Sequence, residues 1–263
     1  MLDPKGTAYD LTGREGAPVV VLIHGLGLNR RITWDGMLGA LGSEFQVLNY
    51  DLLGHGESAV PEGKVDLTRL SEQLITLIDH LDIPQASLMG FSLGGMINRR
   101  VAMDHPDRAR GLVILNSPHE RAPELQAQVE RHAEQSDSGG PAATLDAALN
   151  RWLTPDFRRE NKEIVGDIRA ILLANDAENY AKHRHVLAAG VTELIRPDPP
   201  LEHPMLVMTC ANDSGSTPAM SHAIAAETKG AQTIILPDLK HMGLVERPDL
   251  FLPPCLSFLR RQA

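Results

Sequence analysis

Gly90-Phe91-Ser92-Leu93-Gly94 decides the reading of this sequence. The apolar run Ser87-Leu88-Met89-Gly90 leads into it as a short buried strand, and Leu93 to Asp104 follows as a helix. A serine between two glycines at a strand-to-helix turn is the pattern of a nucleophile elbow, in which the hydroxyl is presented above the sheet. So tight a turn needs neighbours without bulky Cβ atoms, which glycine supplies. A residue held in such a turn usually marks function. Taken alone, the pattern competes with an ordinary strand-turn-helix connection, so the rest of the chain has to supply the remaining chemistry.

A hydroxyl nucleophile needs a base, and the base needs an orienting acid. Both follow in the order serine, aspartate, histidine. Met205-Leu206-Val207-Met208-Thr209 reads as an apolar strand ending in Cys210-Ala211-Asn212-Asp213, so Asp213 sits just past a strand's C-terminal end, where open α/β sheets place their ligands. Gln232-Thr233-Ile234-Ile235-Leu236 is another strand, and the loop behind it carries His241. Asp238 is a competing acid, but it lies three residues from His241 on the same loop and could hardly reach the far ring nitrogen. Upstream, Val19-Val20-Val21-Leu22-Ile23 is a continuous aliphatic run, the mark of a strand buried on both faces. It enters His24-Gly25-Leu26-Gly27, where small residues let a backbone N–H point into the site. The N–H groups of Leu26 and Leu93 are the candidate oxyanion hole. His24 is read as a structural hydrogen-bonding residue and not as a base.

With these landmarks the chain resembles the α/β-hydrolase-fold superfamily over nearly its full length. The resemblance rests on His24-Gly25-Leu26-Gly27, on Tyr50-Asp51-Leu52-Leu53-Gly54-His55-Gly56-Glu57-Ser58, on the elbow, on Asp213, and on His241 with Glu246-Arg247-Pro248 behind it. Within the superfamily it is most similar to 3-oxoadipate enol-lactonases and related small carboxylesterases, through Arg151-Trp152-Leu153-Thr154-Pro155-Asp156-Phe157 and Ala174-Asn175-Asp176-Ala177-Glu178-Asn179-Tyr180. It departs in having Cys210 where many relatives have glycine, and in a short stretch before Val19 for the usual N-terminal antiparallel strands. The resemblance implies a mostly parallel central sheet flanked by helices, with a helical cap insertion. It also implies a Ser92-Asp213-His241 triad, no cofactor and no metal.

Strands and helices alternate outside the insert. Phe45 to Tyr50 and Gly111 to Asn116 read as strands. Between them Leu67, Leu70, Leu74, Leu77, Ile78 and Leu81 share one helical face behind Asp66, a candidate N-cap. The alternation implies a parallel sheet with helices on both faces. It stops near Ser117-Pro118 and resumes at Pro204, which assigns 1–120 and 196–263 to an α/β core and 121–195 to a cap. Four helical stretches are expected in the cap, over 124–135, 142–153, 161–173 and 177–188, with Ser136 to Pro141 as a mobile connector. Trp152, Phe157, Tyr180 and His183 are the candidate substrate-binding residues, with Arg151 and His185 as further candidates for a charged substrate end. In the last helix, after Pro248, Pro253-Pro254 should force a kink or a restart, because an interior proline costs about 3 kcal/mol.

Composition narrows the function. At 263 residues, 43% of them hydrophobic, the chain can hold one large α/β domain with an insertion. A net charge of −9 argues against nucleic acid or an anionic membrane as partner. Eleven histidines show no metal-ligand spacing, and the two cysteines, Cys210 and Cys255, read as core residues. With no apolar targeting segment or spanning run, a cytoplasmic location is the expectation. The expected partner is a small-molecule ester or lactone substrate; a homo-oligomer is compatible with this composition. The expected activity is hydrolysis of that substrate through an acyl-enzyme. A carbon–carbon bond hydrolase or a cofactor-free perhydrolase would use the same triad, and a ligand-binding receptor would retain it for slow turnover. Epoxide and haloalkane hydrolases need an aspartate where this chain has Ser92.

Overall fold

The computed structural model describes residues 1–135 and 140–263. Seven strands, β1 (Tyr9–Gly13), β2 (Val19–Ile23), β3 (Gln46–Tyr50), β4 (Ala86–Phe91), β5 (Ala109–Leu115), β6 (Met205–Cys210) and β7 (Gln232–Leu236), form one sheet in the order β1-β3-β2-β4-β5-β6-β7. Every pairing is parallel except β1 with β3. Strand β1 lies in the short stretch before Val19, and it supplies the antiparallel edge.

Strand alternation divides the core. Val21 and Ile23 of β2 and Leu112 and Ile114 of β5 face one cluster. Val20, Leu22, Val113 and Leu115 face the other. The first cluster is closed by α2 (Leu67–His80), α3 (Leu93–Asp104) and α9 (Pro218–Ala226). The second is closed by α1 (Arg30–Gly42) and α11 (Pro248–Arg260). Helix α2 buries Leu67, Leu70, Leu74, Leu77 and Ile78, and Asp66 caps it by accepting from the Arg69 N–H.

Between β5 and β6 the chain adds α4 (Pro123–Gln135), α5 (Leu145–Trp152), α6 (Pro155–Glu160), α7 (Lys162–Leu173) and α8 (Ala177–Ala189); a short α10 (Gly243–Glu246) precedes α11. The expected helix over 142–153 opens as a 3₁₀ turn over Pro141–Thr144, and α6 was not foreseen. Ser136, Asp137, Ser138 and Gly139 of the expected mobile connector lie outside the described residues.

The expected break in the last helix does not occur. Helix α11 is continuous from Pro248 to Arg260, with Pro253 and Pro254 inside it. Pro253 is exposed, as is Asp249, one of the two residues whose carbonyls lose their donor, so water can serve that carbonyl. The opposite face buries Phe251, Cys255, Phe258 and Leu259. At about 1.5–3 kcal/mol for each large side chain, that burial is of the same size as the two proline penalties of about 3 kcal/mol each and offsets them. Leu259 is buried, and Leu256 is half-buried.

Candidate active site

Ser92 stands between β4 and α3 with φ +54° and ψ −112°, a left-handed-side conformation that is strained for a residue with a side chain. The flanking glycines are needed for space, not for φ. A Cβ on Gly90 would lie 2.2 Å from the Gly94 carbonyl oxygen, and one on Gly94 would lie 2.1 Å from that of Ile23. The elbow is therefore wedged between its own helix and β2, which leaves the Ser92 side chain one way to point.

His241, on the loop after β7, bridges to the serine. Its Nδ1 donates to Asp213 Oδ2 at 2.7 Å, and its Nε2 stands 3.1 Å from Ser92 Oγ. The carboxylate can only accept, so the ring proton sits on Nδ1 and Nε2 is free to take the hydroxyl proton. Asp213, past the end of β6, also accepts from the N–H groups of Gly215 and Ser216 at 2.9 Å each, and from Asn116 Nδ2 at 2.9 Å. Burial works against its charge, but the neighbouring His241 and these hydrogen bonds prevail and hold its carboxyl below the ordinary carboxylate range. Asn116 was missed by sequence reading. It sits at the end of β5 with φ +47°, a conformation in which asparagine is enriched. Asp238 is exposed.

The Gly25–Leu28 loop packs directly on the serine: a Cβ on Gly25 would come within 3.2 Å of the Ser92 Cβ. Neither the Leu26 nor the Leu93 N–H has an acceptor among the described residues. His24 is held by both nitrogens, Nδ1 to the Gly25 carbonyl at 2.8 Å and Nε2 to the Leu52 N–H at 2.9 Å. In the Tyr50–Ser58 segment, Asp51 accepts from the Arg30 N–H and guanidinium and from the Glu57 N–H.

A cavity of about 450 Å³ opens over Ser92 and His241. Its far wall is built from three cap segments: Arg121 ahead of α4, with Leu125, Val129, His132 and Ala133 along it; Thr144 ahead of α5, with Ala147, Ala148, Arg151 and Trp152 along it; and Tyr180, Arg184, Leu187 and Ala188 along α8. These spacings of three and four residues are single helix faces. Of the expected substrate-binding residues, Trp152 and Tyr180 line the cavity, the Trp152 ring 6.1 Å from that of His241. Phe157 and His183 do not. Phe157 packs into the second core cluster. His183 is fully buried, its Nδ1 donating to the Asn179 carbonyl and its ring edge-on to His55 at 4.6 Å. Arg151 lines the cavity as considered, His185 is exposed elsewhere, and Arg121 and Arg184 were missed. Arg151 and Arg184 make no ion pair among the described residues. Among the described residues, the only carboxylate in the lining belongs to Asp213, which is already engaged. Among the described residues no group of three or more His, Cys, Asp or Glu could hold a metal ion, and no helix is long and apolar enough to cross a membrane.

A profile of the alpha/beta hydrolase family matches residues 20–253. The chain belongs to the alpha/beta hydrolase family. Among family members it is similar to 3-oxoadipate enol-lactonase 2 of Acinetobacter baylyi, 29% identical over 246 residues that make up 92% of this chain and 89% of that one. It is also similar to (E)-2-((N-methylformamido)methylene)succinate hydrolase of the same organism, 26% identical over 94% of this chain and 92% of that one. Among solved structures, the enol-lactonase from Burkholderia xenovorans LB400 superposes on this hydrolase fold with a TM-score of 0.87, at 30% identity, over 97% of this chain and 96% of that one.

Proposed function

We propose that the protein is a serine hydrolase that cleaves a small carboxylic ester or lactone bearing a carboxylate, through an acyl-enzyme. The observation that carries the reading is the position of His241 between Ser92 Oγ and Asp213 at the floor of a cavity walled by the cap. In this mechanism His241 Nε2 takes the hydroxyl proton as Ser92 attacks the acyl carbon, and Asp213 stabilises the imidazolium. The N–H groups of Leu26 and Leu93 bind the oxyanion; donors of this kind are worth about 3–4 kcal/mol each. His241 then protonates the leaving oxygen, and water activated by the same nitrogen releases the acid. In a lactone the leaving oxygen stays on the acyl chain, so one molecule leaves.

The helical insert serves as the lid in this reading, and its arginines support the carboxylate. Arg121, Arg151 and Arg184 line a cavity whose one acid among the described residues, Asp213, is engaged by His241, in a chain of net charge −9. The Arg151 and Arg184 guanidinium groups, without an ion pair among the described residues, favour an anionic guest, with charge-assisted hydrogen bonds of about 1.5–3 kcal/mol. Two relatives named for adipate and succinate derivatives add support for an organic-acid substrate.

The test compares p-nitrophenyl butyrate with p-nitrophenyl hemisuccinate, and an enol-lactone with and without a carboxylate, for the native protein and Ser92→Ala. Turnover lost on a scale of about 10⁶ in Ser92→Ala, with a fluorophosphonate labelling only the native serine, is expected. Substantial turnover by Ser92→Ala would overturn the nucleophile assignment. A single slow turnover would turn the reading to a receptor. Cleavage of β-diketones in place of esters would turn it to carbon–carbon bond hydrolysis.

A further inference from the structure

The loop that carries the Leu26 N–H is fastened from above as well as from below. Two peptide groups flank Gly27. The N–H of Gly27 donates to His55 Nε2 at 3.0 Å, and the carbonyl of Gly27 accepts from Asn175 Nδ2 at 2.9 Å. Gly27 itself has φ +73°, and a Cβ there would lie 2.7 Å from the Tyr180 ring and 2.8 Å from Leu172, so the loop meets the cap without room for a side chain. On the other side of Leu26, the Gly25 carbonyl accepts from His24 Nδ1 at 2.8 Å and from the Leu28 N–H at 3.3 Å. In a trans peptide the N–H points opposite to the carbonyl, so pinning the Gly25 oxygen aims the Leu26 N–H the other way. With the planes on both sides of Leu26 pinned, its N–H has little freedom left.

The two holders of Gly27 come from different layers. His55 lies on the loop after β3. Its Nδ1 faces the Leu53 carbonyl at 3.1 Å, so that nitrogen carries the proton and Nε2 is a bare acceptor. Burial, with His183 and His24 alongside, holds its pKa well below the usual histidine range, which keeps Nε2 bare. Asn175 lies in the turn between α7 and α8, and its Nδ2 also reaches the Ile171 and Leu172 carbonyls at 2.9 and 3.1 Å. Helix α8 grips the His55 loop as well: Asn179 Nδ2 donates to the Gly54 carbonyl at 2.7 Å, and His183 packs edge-on to His55.

We infer that His55 and Asn175 are positioning residues that hold the Leu26 N–H in its oxyanion-binding direction, so that the cap governs turnover through this loop and not only by enclosing substrate. The inference rests on the reading of Leu26 as an oxyanion donor. Neither side chain lines the cavity over Ser92, so neither acts by touching substrate there.

The experiment uses the full chain with p-nitrophenyl butyrate and, as a transition-state mimic, butylboronic acid, whose tetrahedral adduct with Ser92 places an oxygen in the oxyanion position. Asn175→Asp keeps the shape and turns the donor into an acceptor facing a carbonyl. His55→Leu removes the acceptor, and His55→Gln returns one. For Asn175→Asp and His55→Leu, kcat should fall about 10- to 100-fold, less than the loss on deleting a donor outright. KM should stay within about twofold, boronate affinity should weaken in step with kcat, and His55→Gln should recover part of both. A role confined to capping α7 would lower the melting temperature and leave kcat and boronate affinity together unchanged, which overturns the inference. So would a change in KM alone. If one variant does not fold, the other residue's variants decide. Ser92→Ala run in parallel separates the two levels: if it stays active, the underlying reading has failed, and if it is dead while the other variants keep their kcat, only this inference has.

Discussion

Replacing His183 with leucine should remove a large part of this protein's acid sensitivity while costing little at neutral pH. The His183 ring is fully buried, and its pKa is pushed down to about 4, chiefly by burial, with His24 and Lys182 adding to the shift and the hydrogen bond to Asn179 opposing it. In the unfolded chain the same ring titrates near 6.5. As pH falls below that value the unfolded state binds a proton that the folded state refuses, so the stability tied to His183 is complete above pH 6.5 and drains away toward pH 4. Between pH 7 and pH 5 the loss from this one residue is about 2 kcal/mol, from about 1.4 kcal/mol per pH unit over the window in which the unfolded ring is charged. That is a substantial part of the 5–15 kcal/mol that usually holds a domain together.

The leucine variant gives up the hydrogen bond to Asn179, worth about 1 kcal/mol, but also removes a buried Nε2 that has no hydrogen-bond partner. Its stability at pH 7 should therefore lie within about 1 kcal/mol of the native protein. Urea unfolding at pH 7, 6 and 5 measures both, with far-UV circular dichroism and the fluorescence of Trp34 in the core and Trp152 in the cap as independent probes. The native protein should lose about 2 kcal/mol more than the variant between pH 7 and 5. His24 and His55, also depressed mainly by burial, remain in both; the part of the His55 shift that His183 causes is relieved in the variant and adds to the difference. Parallel loss of stability in the two proteins would refute the claim that the cap holds a neutral histidine.

Asp213→Asn should lower kcat by about 10⁴ with the fold intact, because the amide favours the wrong tautomer of His241, while Asp238→Asn should change kcat by less than about twofold; steady-state kinetics on p-nitrophenyl butyrate rank them, and the reverse order would move the acid. Gly90→Ala should fail to fold or lose about 4 kcal/mol or more in urea titration, since its Cβ would meet backbone atoms of Gly94 and Gly95 at 2.2–2.6 Å that cannot swing aside. Arg151→Gln and Arg184→Gln should each cut the preference for p-nitrophenyl hemisuccinate over the butyrate by about 10-fold in kcat/KM, the share of one charge-assisted hydrogen bond; an unchanged ratio in both would remove the carboxylate from the proposed substrate.

What the sequence makes legible here is whatever depends on position along a strand. The runs 19–23 and 205–208 are apolar throughout because both faces of a central strand are buried, and a polar residue soon after such a run stands near the sheet's C-terminal edge. Ser92, Asp213 and His241 are readable for that reason. Asn116 stands at the same edge and could have been found by the same rule; it was passed over because an amide after a strand also reads as an ordinary turn former. The cap obeys a different geometry. On α8, Asn179 and His183 face the His55 loop, while Tyr180, Arg184, Leu187 and Ala188 line the cavity. Successive residues on a helix diverge by about 100°, so His183 and Arg184 belong to different faces although they are neighbours in sequence. Hydrophobic pattern cannot choose between those faces, because one packs on core loops and the other on a cavity, and both carry apolar and polar groups. Residue type therefore pointed to the histidine, and the docking angle of the helix gave the cavity to the arginine. The stripe at 121, 125, 129 and 132 is visible in the sequence once helices are read by face, and it carries the same mixture of guanidinium, aliphatic and imidazole groups. Cationic groups from three cap segments in one lining are what the proposed anionic substrate would meet, and no single aromatic in the insert carries that information.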